Sequence, residues 1–129
     1  MSEQEIATTT DMLWRQIHPA FINSGNVSSA AFRVTKKDVD CLSVSWSQKC
    51  DPEEAYRRHT IVRQLVSFGV QAVAIGEVQR ADTKAFYDPE DLDDAHSFVD
   101  FRGLSRSRQE LLASTLRDAA VRRGWCFKP

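Results

Sequence analysis

The 129-residue sequence has few of the residues and runs that mark several classes of protein. Its three cysteines are odd in number, form no C-x-x-C pair and have no histidine spacing typical of zinc, so a disulfide framework and a zinc site are both unexpected. No apolar run approaches the roughly 18 residues of a membrane span, and residues 1–11 lack the apolar core of a secretory signal. We therefore expect a cytoplasmic protein with reduced thiols and no membrane association.

A charge excess of either sign is also missing, since 17 Lys and Arg stand against 18 Asp and Glu. The net charge of −1 supplies no global field for nucleic acid or an anionic membrane. Residues 82–100 nevertheless carry seven acids against one lysine, whereas residues 102–129 carry seven bases against two acids. Two solvated segments are the simplest interpretation; a basic partner at the acidic segment, or RNA at the basic C-terminal helix, are the alternatives.

The sequence contains no signature of a common reaction class. A phosphate loop, a nucleophile elbow, a dinucleotide fingerprint and an H-E-x-x-H pair are all missing. The acidic stretch "DPEDLDDAH" lacks the alternating ligands, glycine and terminal glutamate of a calcium loop. We therefore expect neither a metal nor a cofactor.

The composition is that of one globular domain. Hydrophobic residues make up 42% of the chain, and three Trp with seven Phe can fill a core without disulfides. Residues 1–10, "MSEQEIATTT", are polar and aperiodic, which predicts a flexible N-terminal arm. Residues 11–129 are expected to form the domain.

Strand patterns alternate with helix patterns along the chain. Strands are predicted at "MLWRQIHP", at "CLSVSW" with Leu42, Val44 and Trp46 on one face, centrally at residues 70–78, and at "HSFVDF". A serine-capped helical turn is predicted at "SSAAF". The expected fold is α+β, a small mixed or antiparallel sheet covered by two main helices.

Both helices carry start and stop signals. The first has Asp51 as cap, Pro52 in its first turn and Gly69 after its end, with an apolar face of Ala55, Val62, Leu65 and Val66. The second is expected to begin at a capping box of Ser107 and Glu110 and to end at Gly124, with an apolar stripe of Leu112, Leu116 and Ala119 or Ala120.

The candidate functional residues are polar groups near strand ends and in loops. Pro19 biases His18 towards an extended backbone, from which its ring can enter a cleft beside the "SSAAF" turn. His96 and Asp100 share a strand face, where the carboxylate could orient the imidazole. The alternative for each histidine is a hydrogen-bonded side chain at a sheet edge. Candidates for ligand or partner binding are Arg15, His18, Ser28, Ser29, Asp38, Ser43, Asp88, His96 and Asp100.

Candidates for catalysis are His18, Glu77, His96 and Asp100. Glu77 closes an apolar run, where a carboxylate either turns to solvent or meets a cation such as Arg15. Both outcomes remain open at this point.

The chain resembles a family of small bacterial proteins of uncharacterised function. The shared pattern is R-Q-x-H-P, S-S-x-x-F, K-D…L-S-V, D-P and H-x-x-x-D-F. It falls on Arg15, His18, Pro19, Ser28, Ser29, Phe32, Lys37, Asp38, Ser43, Asp88, Pro89, His96 and Asp100. The resemblance ties these residues into one set without assigning an activity. A second similarity is to ADP-ribosyltransferase-like folds, which would put His18, Ser28 or Ser29, and Glu77 along a nicotinamide dinucleotide cleft.

Two functions are therefore expected. The first is a small cytoplasmic binding or accessory protein of a bacterial toxin, immunity or defence module, with a protein partner from its operon. The second is a small enzyme with a His/Glu/Asp cleft acting on a nucleotide or RNA. Convergence of His18, Asp38, His96 and Asp100 in one pocket would favour the enzyme.

Overall fold

A computed structural model describes residues 3–35 and 39–129 of the chain. Within these residues six strands form one antiparallel sheet in the order β1-β7-β8-β5-β2-β6. The strands are β1 (Gln4–Ile6), β2 (Met12–Ile17), β5 (Cys41–Trp46), β6 (Gly69–Ala74), β7 (Ala85–Tyr87) and β8 (His96–Asp100), and a separate hairpin pairs β3 (Ile22–Asn23) with β4 (Asn26–Val27). The α+β class predicted from the sequence is confirmed.

The helices are α1 (Pro52–Arg57), α2 (Ile75–Arg80) and α3 (Arg106–Arg123). A π-helical turn, Arg58–Val62, continues α1, and 3-10 turns lie at Pro19–Phe21 and Ser29–Phe32. Ser28 caps the second 3-10 turn by accepting a hydrogen bond from the Ala30 backbone N–H, as the sequence predicted. In the described part of the chain, no helix has the length and apolarity needed to cross a membrane.

The hydrophobic core lies between one face of the sheet and α3. Leu13 and Ile17 of β2, Val99 of β8, and Leu112 and Leu116 of α3 belong to one buried cluster. The predicted α3 stripe is therefore confirmed, and Gly124 ends the helix with a positive φ of 91°. The helix begins earlier than expected, because Ser105 and not Ser107 accepts the capping hydrogen bond.

The N-terminal residues differ from the flexible arm predicted at 1–10, because Gln4–Ile6 forms the edge strand β1. It pairs with β7 in antiparallel register, and Ile6 is buried in the core. The short polar sequence had no strand signal of its own, so the pairing depends on the edge that β7 offers.

The run at residues 70–78 is not a central strand. It forms the edge strand β6 and then turns into α2. The C-terminal segment lies along the outer side of β6, where the Val70 N–H donates to the Phe127 carbonyl at 2.8 Å. A Cβ on Gly69 would come within 2.8 Å of that carbonyl oxygen, so this contact requires glycine. Burial against α3 and α1 explains the apolar run.

The predicted long helix after Asp51 ends early. Asp51 and Pro52 start α1 as expected, but the π-helical turn and a left-handed Gln64 stop the helix near residue 63. The β-branched run at 60–62 is a poor helix former, and the Thr60 hydroxyl donates to the Tyr56 carbonyl within the turn. Val62 and Val66, predicted to be on the buried face, are consequently 53% and 59% exposed.

Candidate functional site

A cavity of about 480 Å³ opens on the face of the sheet opposite α3. Because side chains alternate along a strand, the core uses Leu13, Ile17 and their neighbours and leaves the intervening residues on this second face. The cavity, which we call the cleft, is lined by all three histidines of the chain, His18, His59 and His96. Its size is that of a small-molecule site.

The floor of the cleft consists of polar and aromatic side chains from β2 and β5. Trp14 and Gln16 come from β2, and Ser43 and Ser45 from β5. The indole N–H of Trp14 donates to the Cys50 carbonyl at 2.8 Å, which holds the ring in place. A rigid aromatic surface therefore lies beside two hydroxyl groups.

Gln16 has the least satisfied side chain in the cleft. Its amide nitrogen and oxygen are both shielded from solvent, and neither has a hydrogen-bond partner among the described residues. A buried polar group without a partner costs about 1–3 kcal/mol. Such a group calls for a specific explanation in a folded protein, and an incoming ligand would supply the missing partner.

His18 lies at the rim and is exposed. Its backbone is extended, as Pro19 predicted, and its Nδ1 accepts the Ala20 N–H at 3.0 Å, capping the first 3-10 turn. In the neutral ring Nε2 therefore carries the proton and is left as a donor. Its ring also packs at a tilt against Phe21, with centroids 5.9 Å apart.

His59 comes from the π-helical turn and is half-buried. Burial lowers the pKa of His59; a backbone hydrogen bond with Val66 opposes this shift, and the positive charges of Arg63 and Arg15 add to it. Arg15 and Arg63 line the cleft together with His18 and His59. Among the described residues the Arg63 side chain has no ion-pair partner, and it is exposed at the cleft wall.

Arg15 connects this cationic end to the floor. Its Nε donates to the Ala31 carbonyl and its Nη1 to the Ser43 carbonyl, each at 2.8 Å. These two hydrogen bonds hold the guanidinium between the Ser29–Phe32 turn and β5.

The opposite end of the cleft is acidic. Arg58 forms ion pairs with Glu54, Asp93 and Asp94 at 2.9, 3.3 and 2.6 Å. Burial opposes the charge of Arg58, but the hydrogen bonds to Asp94 and Glu54 outweigh it and raise its pKa. Three carboxylates around one arginine leave this end without excess positive charge.

His96 lies between the floor and the acidic end and is 9% exposed. Its Nδ1 is 2.9 Å from the Asp88 carbonyl oxygen, and its Nε2 is 3.4 Å from the Ser43 hydroxyl. The carboxylates of Asp88 and Glu90 approach Nδ1 to 4.0 and 3.7 Å. Asp88 thus contacts His96 from behind the cleft.

Of the residues singled out from the sequence, the structure brings Arg15, His18, Ser43 and His96 together in the cleft, with Asp88 behind His96. The sequence did not indicate the other members, Gln16, Ser45, Arg58, His59 and Arg63. The alternation that put Ser43 opposite the core face of β5 also applied to Ser45, and the same rule on β2 would have found Gln16. The positions of Arg58, His59 and Arg63 in the cleft depend on the early end of α1, which the sequence did not predict.

Asp100 does not orient His96 as predicted. It accepts hydrogen bonds from the backbone and side chain of Arg102, the latter at 2.8 Å. Burial opposes ionisation of Asp100, but the bonds from Arg102 keep its pKa below the ordinary value. His96 and Asp100 share a strand face, but they are four residues apart, and Arg102 is nearer to the Asp100 carboxylate.

Ser28 and Ser29 do not supply hydroxyls to the cleft. Ser28 caps its own turn, and the Ser29 hydroxyl accepts from Arg33 at 3.3 Å. Local capping satisfies these side chains before a ligand could. Asp38 lies outside the described residues.

Glu77 is also remote from the cleft and lines a different cavity. Its carboxylate pairs with Arg123 of α3 at 2.8 and 3.0 Å and accepts the Ala74 N–H at 2.7 Å. Burial opposes its ionisation, but these hydrogen bonds hold its pKa below the ordinary value. The predicted partner Arg15 is wrong, and His18, the two serines and Glu77 do not form the shared site that the ADP-ribosyltransferase similarity implied.

The three cysteines are free thiols, as predicted. Burial raises the pKa of Cys50 to about 12, so its thiol is a poor nucleophile. Among the described residues no group of three His, Cys, Asp or Glu side chains is arranged to hold a metal ion.

The chain has no match among protein-family models, curated proteins or solved structures.

Proposed function

We propose that the protein binds a small organic anion with a flat ring in the cleft, and that nucleoside phosphates are the class that fits best. The observation that carries the proposal is the side-chain amide of Gln16, which is shielded in a cavity of about 480 Å³ without a partner among the described residues. An amide offers one donor and one acceptor side by side, which is the pattern on the edge of a nucleobase.

The charge distribution supports an anionic group at one end. Arg15 and Arg63 lie there beside the rings of His18 and His59, and the acids paired with Arg58 lie at the other end. A phosphate would accept hydrogen bonds from the His18 Nε2–H and from arginine. The aromatic rings of Trp14 and Phe21 in the lining offer surfaces against which a base could stack.

The test replaces each of two glutamines with methionine, an apolar residue of similar size; both glutamines have shielded side-chain atoms without a partner among the described residues. Gln16→Met should weaken nucleoside phosphate binding by about tenfold or more, the equivalent of one lost hydrogen bond at about 1.4 kcal/mol. Gln71→Met is the matched control, because Gln71 is 2% exposed and also has an unpaired side-chain oxygen, but does not line the cleft. Calorimetric titration with a panel of nucleoside mono- and diphosphates measures both.

Removing an unpaired buried amide should leave the melting temperature unchanged or higher in both variants. Binding lost in Gln16→Met and kept in Gln71→Met supports the proposal. Absence of binding of every nucleoside phosphate to the unmodified protein, or equal binding to the two variants, contradicts it.

The wider role expected from the sequence, a binding or accessory protein of a bacterial toxin, immunity or defence module, stays a prediction. An operon partner would have an apolar surface available beside the cleft, where Ile61, Val62, Leu65 and Val66 are exposed.

A further inference from the structure

The pair formed by Ser43 and His96 has a geometry that ligand binding alone does not require. Ser43 lies on β5 and His96 on the adjacent β8, where His96 is directly opposite Ser45 in the antiparallel register. Both side chains project from the same face into the cleft, and the Ser43 Oγ is 3.4 Å from His96 Nε2. Ser43 is exposed, so a ligand in the cleft can reach its hydroxyl.

The Asp88 carbonyl decides which nitrogen of His96 is basic. A carbonyl oxygen only accepts hydrogen bonds, so His96 Nδ1, at 2.9 Å, must donate to it. In the neutral ring the lone pair then lies on Nε2, facing the Ser43 hydroxyl. A hydroxyl next to a histidine, with the histidine oriented by a third group, is the arrangement of an activated nucleophile.

The surroundings of His96 also suit the charge that would develop during a reaction. The carboxylates of Glu90 and Asp88 lie 3.7 and 4.0 Å from Nδ1, where they would stabilise an imidazolium. On the side of the substrate, Arg15 Nη1 is anchored on the Ser43 carbonyl at 2.8 Å, close to where negative charge would build up.

We propose that Ser43 is a nucleophile and His96 its general base, and that the cleft transfers a phosphoryl group from a nucleoside phosphate to Ser43 and then to water. This inference rests on the proposed function for its substrate class. Ser43 Oγ forms a bond to phosphorus as its proton passes to His96 Nε2, and the bond from phosphorus to the leaving oxygen breaks as that oxygen takes the proton. His96 then takes a proton from water as the water oxygen attacks the phosphorus of the phosphoserine. The bond from phosphorus to Ser43 Oγ breaks, Oγ takes the proton from His96, and inorganic phosphate leaves.

The experiment uses an alkyl fluorophosphonate, in which the leaving group is fluoride, and measures its attachment by intact mass spectrometry and peptide mapping. We expect one adduct, on Ser43, and no adduct in Ser43→Ala. Ser107→Ala is the control, since Ser107 is an exposed serine of α3 that does not line the cleft, and this variant should be labelled on Ser43 at an unchanged rate. His96→Gln should be labelled at least a hundredfold more slowly.

If His96→Gln does not fold, the site is judged in the unmodified protein by the ratio of adduct at Ser43 to adduct at Ser45. Absence of a Ser43 adduct, equal labelling of the two serines, or undiminished labelling of a folded His96→Gln variant overturns the proposal. Calorimetry separates this proposal from the proposed function. If nucleoside phosphates bind but Ser43 is not labelled, the cleft is a binding site and Ser43 is not a nucleophile. If Ser43 is labelled and nucleoside phosphates do not slow the labelling, Ser43 is a nucleophile but nucleoside phosphates are not its substrates.

Discussion

At the scale of single residues, His18 has two separate tasks that use different ring atoms. Its Nδ1 accepts the Ala20 N–H and caps the 3-10 turn, and its Nε2 is left as a donor at the rim of the cleft. The exposed ring is not part of the core, so it is a packed group only in its contact with Phe21. The cap is a structural task and the donor a binding task.

The two tasks can be separated by substitution. His18→Ala should lower the free energy of unfolding by about 1 kcal/mol, because the turn loses its cap. His18→Asn should stay close to the unmodified protein, because asparagine is a good capping residue. Both should weaken nucleoside phosphate binding. Urea unfolding measures the first effect and calorimetry the second; equal stability of the two variants would show that the cap contributes nothing.

At the scale of elements, the helices illustrate which sequence signals are decisive. α3 has a continuous apolar stripe and a glycine stop, and both are used as the sequence predicted. α1 has equally clear start signals at Asp51 and Pro52, but its expected end at Gly69 is not reached. Start signals act locally through hydrogen bonds of the first turn, whereas the length of a helix depends on whether its face finds a surface to pack on.

The stripe of α3 gives a direct test of the core. Leu116 is fully buried and Leu111 is 69% exposed on the same helix. Leu116→Ala should lower the free energy of unfolding by about 2–5 kcal/mol through lost burial and a cavity. Leu111→Ala, with the same helix propensity change, should alter it by less than about 0.5 kcal/mol. Denaturant unfolding measures both, and similar values for the two variants would contradict the placement of α3.

At the scale of the whole molecule, the two faces of the sheet are used differently. One face packs on α3 and forms the core, and the other holds the cleft between β2, β5, β8 and the π-helical turn. The free energy of unfolding should depend on pH, because His59, Glu77 and Asp100 all have lowered pKa values in the folded protein.

The protein should therefore lose stability as pH falls. A group with a lowered pKa in the folded state binds protons more readily when unfolded, so its contribution is present at high pH and disappears on acidification. His59 acts first, below its ordinary pKa of about 6.5, and Glu77 and Asp100 follow below about 4. Urea unfolding at pH values between 8 and 4 measures the trend.

His59→Gln should flatten the part of that curve between pH 6.5 and about 5, because the variant has no group to protonate there. Stability that rises as pH is lowered from 7 to 5 in the unmodified protein would be the opposite of the expected sign.

The sequence by itself determined the α+β class, the start of α1 and the apolar stripe of α3. Alternation placed β5 and determined which of its side chains are buried, because a two-residue period leaves only two faces. Caps fixed the start of α1 and the turn at "SSAAF", because a side-chain oxygen acts on N–H groups two or three residues away.

Only the tertiary structure decided the partners of the polar residues. The sequence indicated that His96 needs a group to orient its ring. The Asp88 carbonyl is that group, whereas Asp100, the predicted one, pairs with Arg102. Glu77 finds Arg123, and the short strand β1 finds the free edge of β7. The Glu77–Arg123 and β1–β7 contacts join residues far apart in sequence, and in every case the partner comes from outside the element concerned. Periodicity within one element therefore carries no information about these partners.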